Sequence, residues 1–138
     1  MEPVFVDTSA LYALLDADDR FHLHAVTTWK EDLIDGNIAL LTSDYVVVES
    51  FELVRRRLGL DALAALDEIV EEALHVTSVG EDLRRRATAR LFAERRRSVS
   101  LVDYTSFEVA AEQGARRAFA YDDHFRQAGF SFVRRFSE

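Results

Sequence analysis

The sequence predicts an α/β fold, a central parallel sheet of about five short strands flanked by helices, and three observations point there. The run Val4-Phe5-Val6 joins β-branched and aromatic residues without polar alternation, the pattern of a strand buried on both faces. Short apolar runs of this kind alternate with helical-period segments along the whole chain, which favours parallel strands joined by helices. Five glycines and one proline in 138 residues leave little room for linkers. The reading is therefore one domain over residues 1–138, long enough to hold a substantial core.

The elements follow in order. Strand one covers Pro3–Asp7 and a first helix Ser9–Leu15. A second helix runs from about Arg20 to Asp35, stopped by Gly36-Asn37, and Ile38–Thr42 is the second strand. Ser43-Asp44 then caps a third helix with Val47, Phe51, Val54 and Leu58 on one stripe, ended by Gly59. Asp61–Leu74 forms a fourth helix, with Leu63, Leu66, Ile69 and Val70 inward, and His75–Val79 a third strand. A long charged helix opens at Gly80 or Glu81 and reaches about Arg97. After Ser98–Val102, Asp103 caps a helix ending near Gly114. Ala118–Tyr121 is a strand closing in Asp122-Asp123, and after a short helical turn Phe130–Arg134 is an edge strand.

Composition narrows the chemistry. No cysteine is present, which excludes disulfides, thiolate catalysis and cysteine-bound zinc or iron–sulfur centres. No apolar run approaches a membrane span, and Met1-Glu2-Pro3 lacks the basic start of a signal peptide, so a cytoplasmic protein is expected. A net charge of −8 argues against a nucleic-acid binder, but its distribution is uneven. Residues 1–54 carry eleven acids against two basic residues, and residues 55–138 carry fifteen arginines against fourteen acids. Arginines cluster at 55–57, 84–86 and 95–97. Their forked donors suit phosphate, although solvated helix faces explain each cluster more simply.

Asp7 is the most informative position. A carboxylate at the end of a buried strand is costly unless something pairs with it, and ligands of open α/β sheets sit beyond the carboxyl ends of the strands. Asp7 is thus either the cap of the next helix or the first wall of a site. Asp122 ends a second apolar strand in the same way. Asp103 opens a helix, which capping explains as well as catalysis does. Glu49 lies opposite the apolar stripe of the third helix on a helical wheel, and periodicity alone makes it a solvated glutamate. Were these acids to converge, Mg²⁺ or Mn²⁺ would suit them, because both prefer oxygen ligands and keep open positions.

Four segments carry a resemblance. Val4-Phe5-Val6-Asp7-Thr8-Ser9-Ala10, Thr42-Ser43-Asp44-Tyr45-Val46-Val47-Val48-Glu49, Ser100-Leu101-Val102-Asp103-Tyr104-Thr105-Ser106-Phe107 and Ala118-Phe119-Ala120-Tyr121-Asp122-Asp123-His124-Phe125 resemble, in order and spacing, the successive acidic motifs of the PIN-domain family, most of all its VapC-type toxin ribonucleases. Phe130-Ser131-Phe132 is similar to the family's last strand, so the likeness covers essentially the whole chain. It implies a PIN-like fold and Mg²⁺- or Mn²⁺-dependent cleavage of RNA. Asp7, Glu49, Asp103 and Asp122 would be the catalytic, metal-binding acids, with Ser9 or Thr8 assisting. It also implies a homodimer, and inhibition by a small cognate antitoxin protein whose C-terminal segment covers the acidic groove. Asp123 beside Asp122 leaves the fourth acid ambiguous, the Asp-x-His-Phe pattern favouring Asp122, and Glu108 faces either groove or solvent.

Other signals weigh less. His22 and His24 are two apart, so helical rings would point away from each other, as at a surface helix start. His124 sits next to an acid, where a histidine can assist catalysis, but packing beside Phe125 is the expected role. Tyr12, Leu15, Phe21 and Trp29 give the first helices more apolar bulk than a sheet edge needs, part of it expected under a partner. Ser9 has no evident histidine base for nucleophilic hydrolysis. Two other readings compete with the ribonuclease: a catalytically inactive PIN-like RNA-binding or assembly module, and a receiver-like domain with an acidic pocket. A receiver needs a lysine late in the chain, and the only lysine is Lys30.

Overall fold

A computed structural model describes residues 2–136. Five parallel strands lie in the order β3-β2-β1-β4-β5. They are β1 (Val4–Val6), β2 (Leu40–Ser43), β3 (His75–Thr77), β4 (Arg117–Phe119) and β5 (Ser131–Phe132). The predicted class and the edge position of the last strand are both correct. From β1 the chain builds outward through β2 to β3, then returns to place β4 on the other flank of β1. That reversal makes a crevice at the carboxyl ends of β1 and β4, where such sheets hold their ligands.

The helices are α1 (Thr8–Leu15), α2 (His22–Thr27), α3 (Asp44–Leu58), α4 (Leu60–Ala73), α5 (Glu81–Glu94), α6 (Leu101–Glu112) and α7 (His124–Gln127). Val4, Phe5 and Val6 are fully buried, as their unalternated pattern requires. Around them close Leu11, Leu33, Val46, Leu66, Tyr104 and Phe125, also fully buried. Phe125 holds α7 against the sheet. Its ring stacks on Phe5 at 5.7 Å and meets Phe107 of α6 edge-on at 5.0 Å. Such aromatic pairs add to the burial energy and fix orientation, and here they fix the residue that follows His124.

Several expected boundaries and caps differ. The predicted strand Pro3–Asp7 keeps three residues, because Asp7 turns out of the sheet to cap α1. Strands two, three, four and five are likewise shorter or shifted against Ile38–Thr42, His75–Val79, Ala118–Tyr121 and Phe130–Arg134. The helix expected over Arg20–Asp35 is α2 followed directly by a π-helical segment, Thr28–Ile34. Two residues past its end stands Gly36, where a Cβ would lie 2.4 Å from the Asp32 carbonyl oxygen. Ser43 alone caps α3, its Oγ accepting from Val46 N at 3.2 Å, while Asp44 Oδ1 accepts from Val79 N at 3.0 Å. Gly59, at φ 90°, joins α3 to α4 without a further linker residue.

On α3 the buried row is Val46, Ser50 and Val54; of the predicted stripe only Val54 belongs to it, while Val47, Phe51 and Leu58 are partly buried. The helix has turned so that Ser50, which is polar, faces inward and bonds Thr8. Arg95, in the left-handed region at φ 54°, ends α5 two residues before Arg97. Ser100, not Asp103, caps α6. Its Oγ accepts from Asp103 N at 3.1 Å and Asp103 Oδ2 accepts from Ser100 N at 2.9 Å, a reciprocal box. Asp103 therefore sits in the first helical turn and its carboxylate is held from below.

Candidate active site

Asp7 follows β1 and is 4% exposed. Its backbone N–H donates to Phe119 O at 3.0 Å, tying the end of β1 to the end of β4. Its Oδ2 accepts from Ser9 N at 3.1 Å and from Ser9 Oγ–H at 2.7 Å. Ser9 Oγ in turn accepts from Tyr121 N at 2.9 Å. One hydroxyl thus joins the carboxylate of Asp7 to the loop that carries Asp122. Capping and site-building, which the sequence set against each other, are both done by Asp7.

Asp122 stands three residues past β4 and its Oδ1 accepts from His124 N at 3.0 Å. Asp103, on α6, reaches the same space: ligand atoms of Asp103, Asp122 and His124 lie within 4.8 Å of one another. Electrostatics report the same convergence. Burial, then the neighbouring Asp122 and more weakly Asp103, push the Asp7 carboxyl up from 3.8 to about 7, against the Ser9 hydrogen bonds. Burial and Asp103 raise Asp122, with His124 opposing.

Glu49 is at the margin of this group. The residue is exposed, as its wheel position predicts, yet its carboxylate lies beside the Thr8 hydroxyl and feels Asp103 and Asp122. Partial burial raises its pKa, with Asp103 and Asp122 adding and Thr8 opposing. Thr8 is fixed by Ser50, their hydroxyls 2.9 Å apart in the interior, so the inward turn of Ser50 brings the neighbouring Glu49 towards the crevice. The structure therefore places Asp7, Asp103 and Asp122 together with Glu49 on their flank.

The two ambiguous acids resolve away from the site. Asp123 bonds Arg126 Nη2 at 2.7 Å and Gln127 Nε2 at 3.0 Å, and the Arg126 guanidinium holds its carboxyl below the usual range. Glu108 faces α5, 3.8 Å from Arg86 Nε. His22 and His24 are not a bare surface pair. His22 Nδ1 bonds Ala13 O at 2.8 Å, and His24 bridges the Tyr121 hydroxyl and Arg135 O. Of the apolar residues expected under a partner, Phe21 is instead covered by its own chain, stacked on Tyr121 at 4.6 Å.

Reading the sequence set His124 aside in favour of packing beside Phe125. Its Nδ1 is buried 3.1 Å from Asp103 Oδ2 and 3.6 Å from Asp122 Oδ1, yet is not aligned for a hydrogen bond with either. Phe125 does pack in the core, but the ring of His124 turns the other way, into the acids. The available signal was the Asp-x-His spacing, which puts a side chain of the first α7 turn back over the preceding acid.

The PIN-domain family model matches residues 4–131. The chain belongs to the PIN-domain family. Within it, the curated relative 23S rRNA-specific endonuclease VapC20 of Mycobacterium tuberculosis is 36% identical over 132 residues, covering 95% of this chain and 98% of that protein. The crystal structure of VapC20, described as a sarcin–ricin loop cleaving toxin, superposes with a TM-score of 0.83 at 35% identity, over 92% of this chain and 95% of that one. This PIN domain is thus of the VapC toxin-ribonuclease type. The crystal structure of FitAcB from Neisseria gonorrhoeae shares the fold, with a TM-score of 0.62 at 16% identity over 94% and 95% of the two chains.

The acids of this PIN domain fit a divalent cation on the structure's own terms. All-oxygen carboxylates crowd a partly buried crevice, where Asp122 raises the pKa of Asp7 and Asp103 that of Asp122, a cost that a bound cation removes, and the orphaned His124 Nδ1 faces the same space.

Proposed function

We propose that this chain is the toxin of a type II toxin–antitoxin pair, an endoribonuclease that uses Mg²⁺ or Mn²⁺ held by Asp7, Asp103 and Asp122, with Glu49 completing the set. The observation that carries the reading is the buried Asp7, whose carboxyl is pushed up to about 7 by burial and by the facing Asp122, in a chain similar to VapC20 over nearly its full length. When bound, the ion supplies an activated water and neutralises charge developing on the phosphodiester.

The chain's own residues prepare that chemistry. Both Ser9 donors fall on Asp7 Oδ2, which leaves Oδ1 for an ion and holds the carboxylate without reorganisation. The Ser100 N–H fixes Asp103 and the His124 N–H fixes Asp122. Glu49, with its raised pKa and exposed position, is the acid that bulk water reaches and the one placed to exchange a proton with it. The reading includes RNA as substrate, a small antitoxin that covers the acidic groove, a homodimer, and a cytoplasmic location where RNA is met. No helix among the described residues is long and apolar enough to cross a membrane.

The 23S rRNA loop cut by VapC20 is the first substrate to try. With Mn²⁺ the protein should cut that loop at a defined bond, and a chelator should abolish cutting. An intact loop, and intact cellular RNA after brief induction, would refute the ribonuclease reading and leave an inactive RNA-binding or assembly module.

A further inference from the structure

Each of the first two arginine clusters is partly neutralised by the chain itself, as is the neighbouring Arg90. Arg55 pairs with Glu52 at 3.0 Å, Arg86 with Glu112 at 3.0 Å, and Arg90 with Glu94 at 2.8 Å. The cluster at 95–97 differs in having no ion-paired member among the described residues. Arg95, Arg96 and Arg97 are all exposed. They surround a shallow depression with Leu91, Val99 and Phe92. Phe92 is 68% exposed.

The position of this patch is as informative as its composition. Arg96 donates to Gln127 Oε1 at the end of α7, and the first residue of α7 is His124, whose ring lies over Asp103 and Asp122. A four-residue helix rises about 5 Å from end to end. The guanidinium of Arg96 is therefore on the order of 10 Å from the acids, a distance that nucleotides flanking the scissile bond span. The loop that bears the arginines also runs directly into Ser100 and Asp103. A protein of net charge −8 repels a polyanion overall, so it needs a local cationic grip beside its site. Arginine with an exposed aromatic ring matches single-stranded nucleic acid, whose phosphates take the charge and whose bases stack on the ring.

We infer that Phe92, Arg95, Arg96 and Arg97 form a substrate-gripping surface that holds single-stranded nucleotides flanking the scissile bond, Phe92 stacking a base and the arginines holding phosphates. The inference rests on the ribonuclease reading above. Its geometry assigns one occupant, an unpaired RNA segment; an antitoxin peptide is the rival that the test must separate.

The test uses the full chain and a fluorescent RNA hairpin with a single-stranded loop. Binding is read by anisotropy in chelator, and kcat and KM are read with Mn²⁺. Arg95→Ala/Arg97→Ala should weaken binding tenfold or more, and should flatten the plot of log affinity against log salt by about 1.4, two phosphate contacts at ~0.7 each. KM should rise while kcat stays within about twofold. Phe92→Ala should weaken binding roughly fivefold or more without changing the salt slope, and Phe92→Tyr should restore it. All these side chains are exposed, so melting temperatures should match wild type.

Arg84→Ala/Arg85→Ala removes the same charge some 15 Å back along α5 and serves as the control. Equal losses in that control, or unchanged binding in the 95/97 variant, would overturn the surface while leaving the ribonuclease reading intact. Loss of antitoxin affinity with RNA binding untouched would overturn it too, assigning the patch to a protein partner. A wild type that neither binds nor cuts the hairpin would instead refute the ribonuclease reading and this surface with it.

Discussion

Asp7→Asn should stabilise the metal-free protein while destroying its activity, and the size of the gain should depend on pH. Asparagine keeps the shape and remains a good cap, its oxygen accepting from Ser9 N and Oγ as Asp7 Oδ2 does. What it loses is the charge. The Asp7 carboxyl moves from 3.8 to about 7 on folding, and at ~1.36 kcal/mol per pKa unit the ionised form costs the fold up to about 4 kcal/mol. Because the folded pKa is raised, the protonated acid's contribution is fully present below about pH 4 and is lost as pH rises through about 7. Asparagine does not titrate, so the two proteins should be nearly equal at pH 4 and should separate by up to about 4 kcal/mol at pH 8. Urea titrations in chelator at half-unit pH intervals read this directly, as does melting at roughly 4 °C per kcal/mol for a domain of this size. Saturating Mn²⁺ should reverse the order, since a ligand stabilises the state that binds it. A stability difference that is flat from pH 4 to pH 8, or an equal gain with Mn²⁺ in both proteins, would refute the reasoning.

Asp123→Asn should leave RNA cleavage within about threefold of wild type, because that carboxylate faces Arg126 and Gln127; a loss comparable to that of Asp122→Asn would move the fourth acid. His124→Ala should lower cleavage on the order of 10- to 100-fold, the usual effect of removing a group that orients metal-binding acids, and should raise the Mn²⁺ concentration needed for half-maximal rate; unchanged Mn²⁺ dependence would reduce the ring to packing. Leu66→Ala, at a fully buried site, should cost about 2–5 kcal/mol in urea denaturation, and a loss under 1 kcal/mol would show that α4 is not part of the core described. Sedimentation at micromolar concentration without antitoxin should give a dimer, and a strict monomer would remove that part of the functional reading.

The centre of the sheet was legible because β1 and β2 are buried on both faces, so residues 4–6 and 40–43 had to be continuously apolar or small. Helix existence was legible for the same reason; exact ends were not. Ser100 shows why. The Ser-x-x-Asp box was present in the sequence, but Asp103 attracted attention as an acid and was placed at the cap, three residues too late. Periodicity gave the exposure of Glu49 correctly but not its place beside the acids, which depends on the inward turn of the neighbouring Ser50. Ser50 is inward because Thr8 satisfies its hydroxyl, and that partner is 42 residues away, beyond any local window. The shift from α2 to the π-helical turn leaves no mark in residue type either. His124 was hidden by its neighbour, since Phe125 belongs to the core and the histidine beside it was read as sharing that role.

The two ends of the sheet carry a constraint on how anything can attach to this protein. β3 offers three residues at one margin and β5 two at the other. Proteins that recruit a peptide as an added strand do so along a longer run of unspent backbone donors and acceptors. Strands this short also resist accidental pairing with other unfolded chains during synthesis. A regulator of this molecule must therefore recognise side chains, on the helices or across the mouth of the acids. Its sequence is then free to vary wherever it does not meet them, and related pairs can diverge in partner choice without altering the sheet.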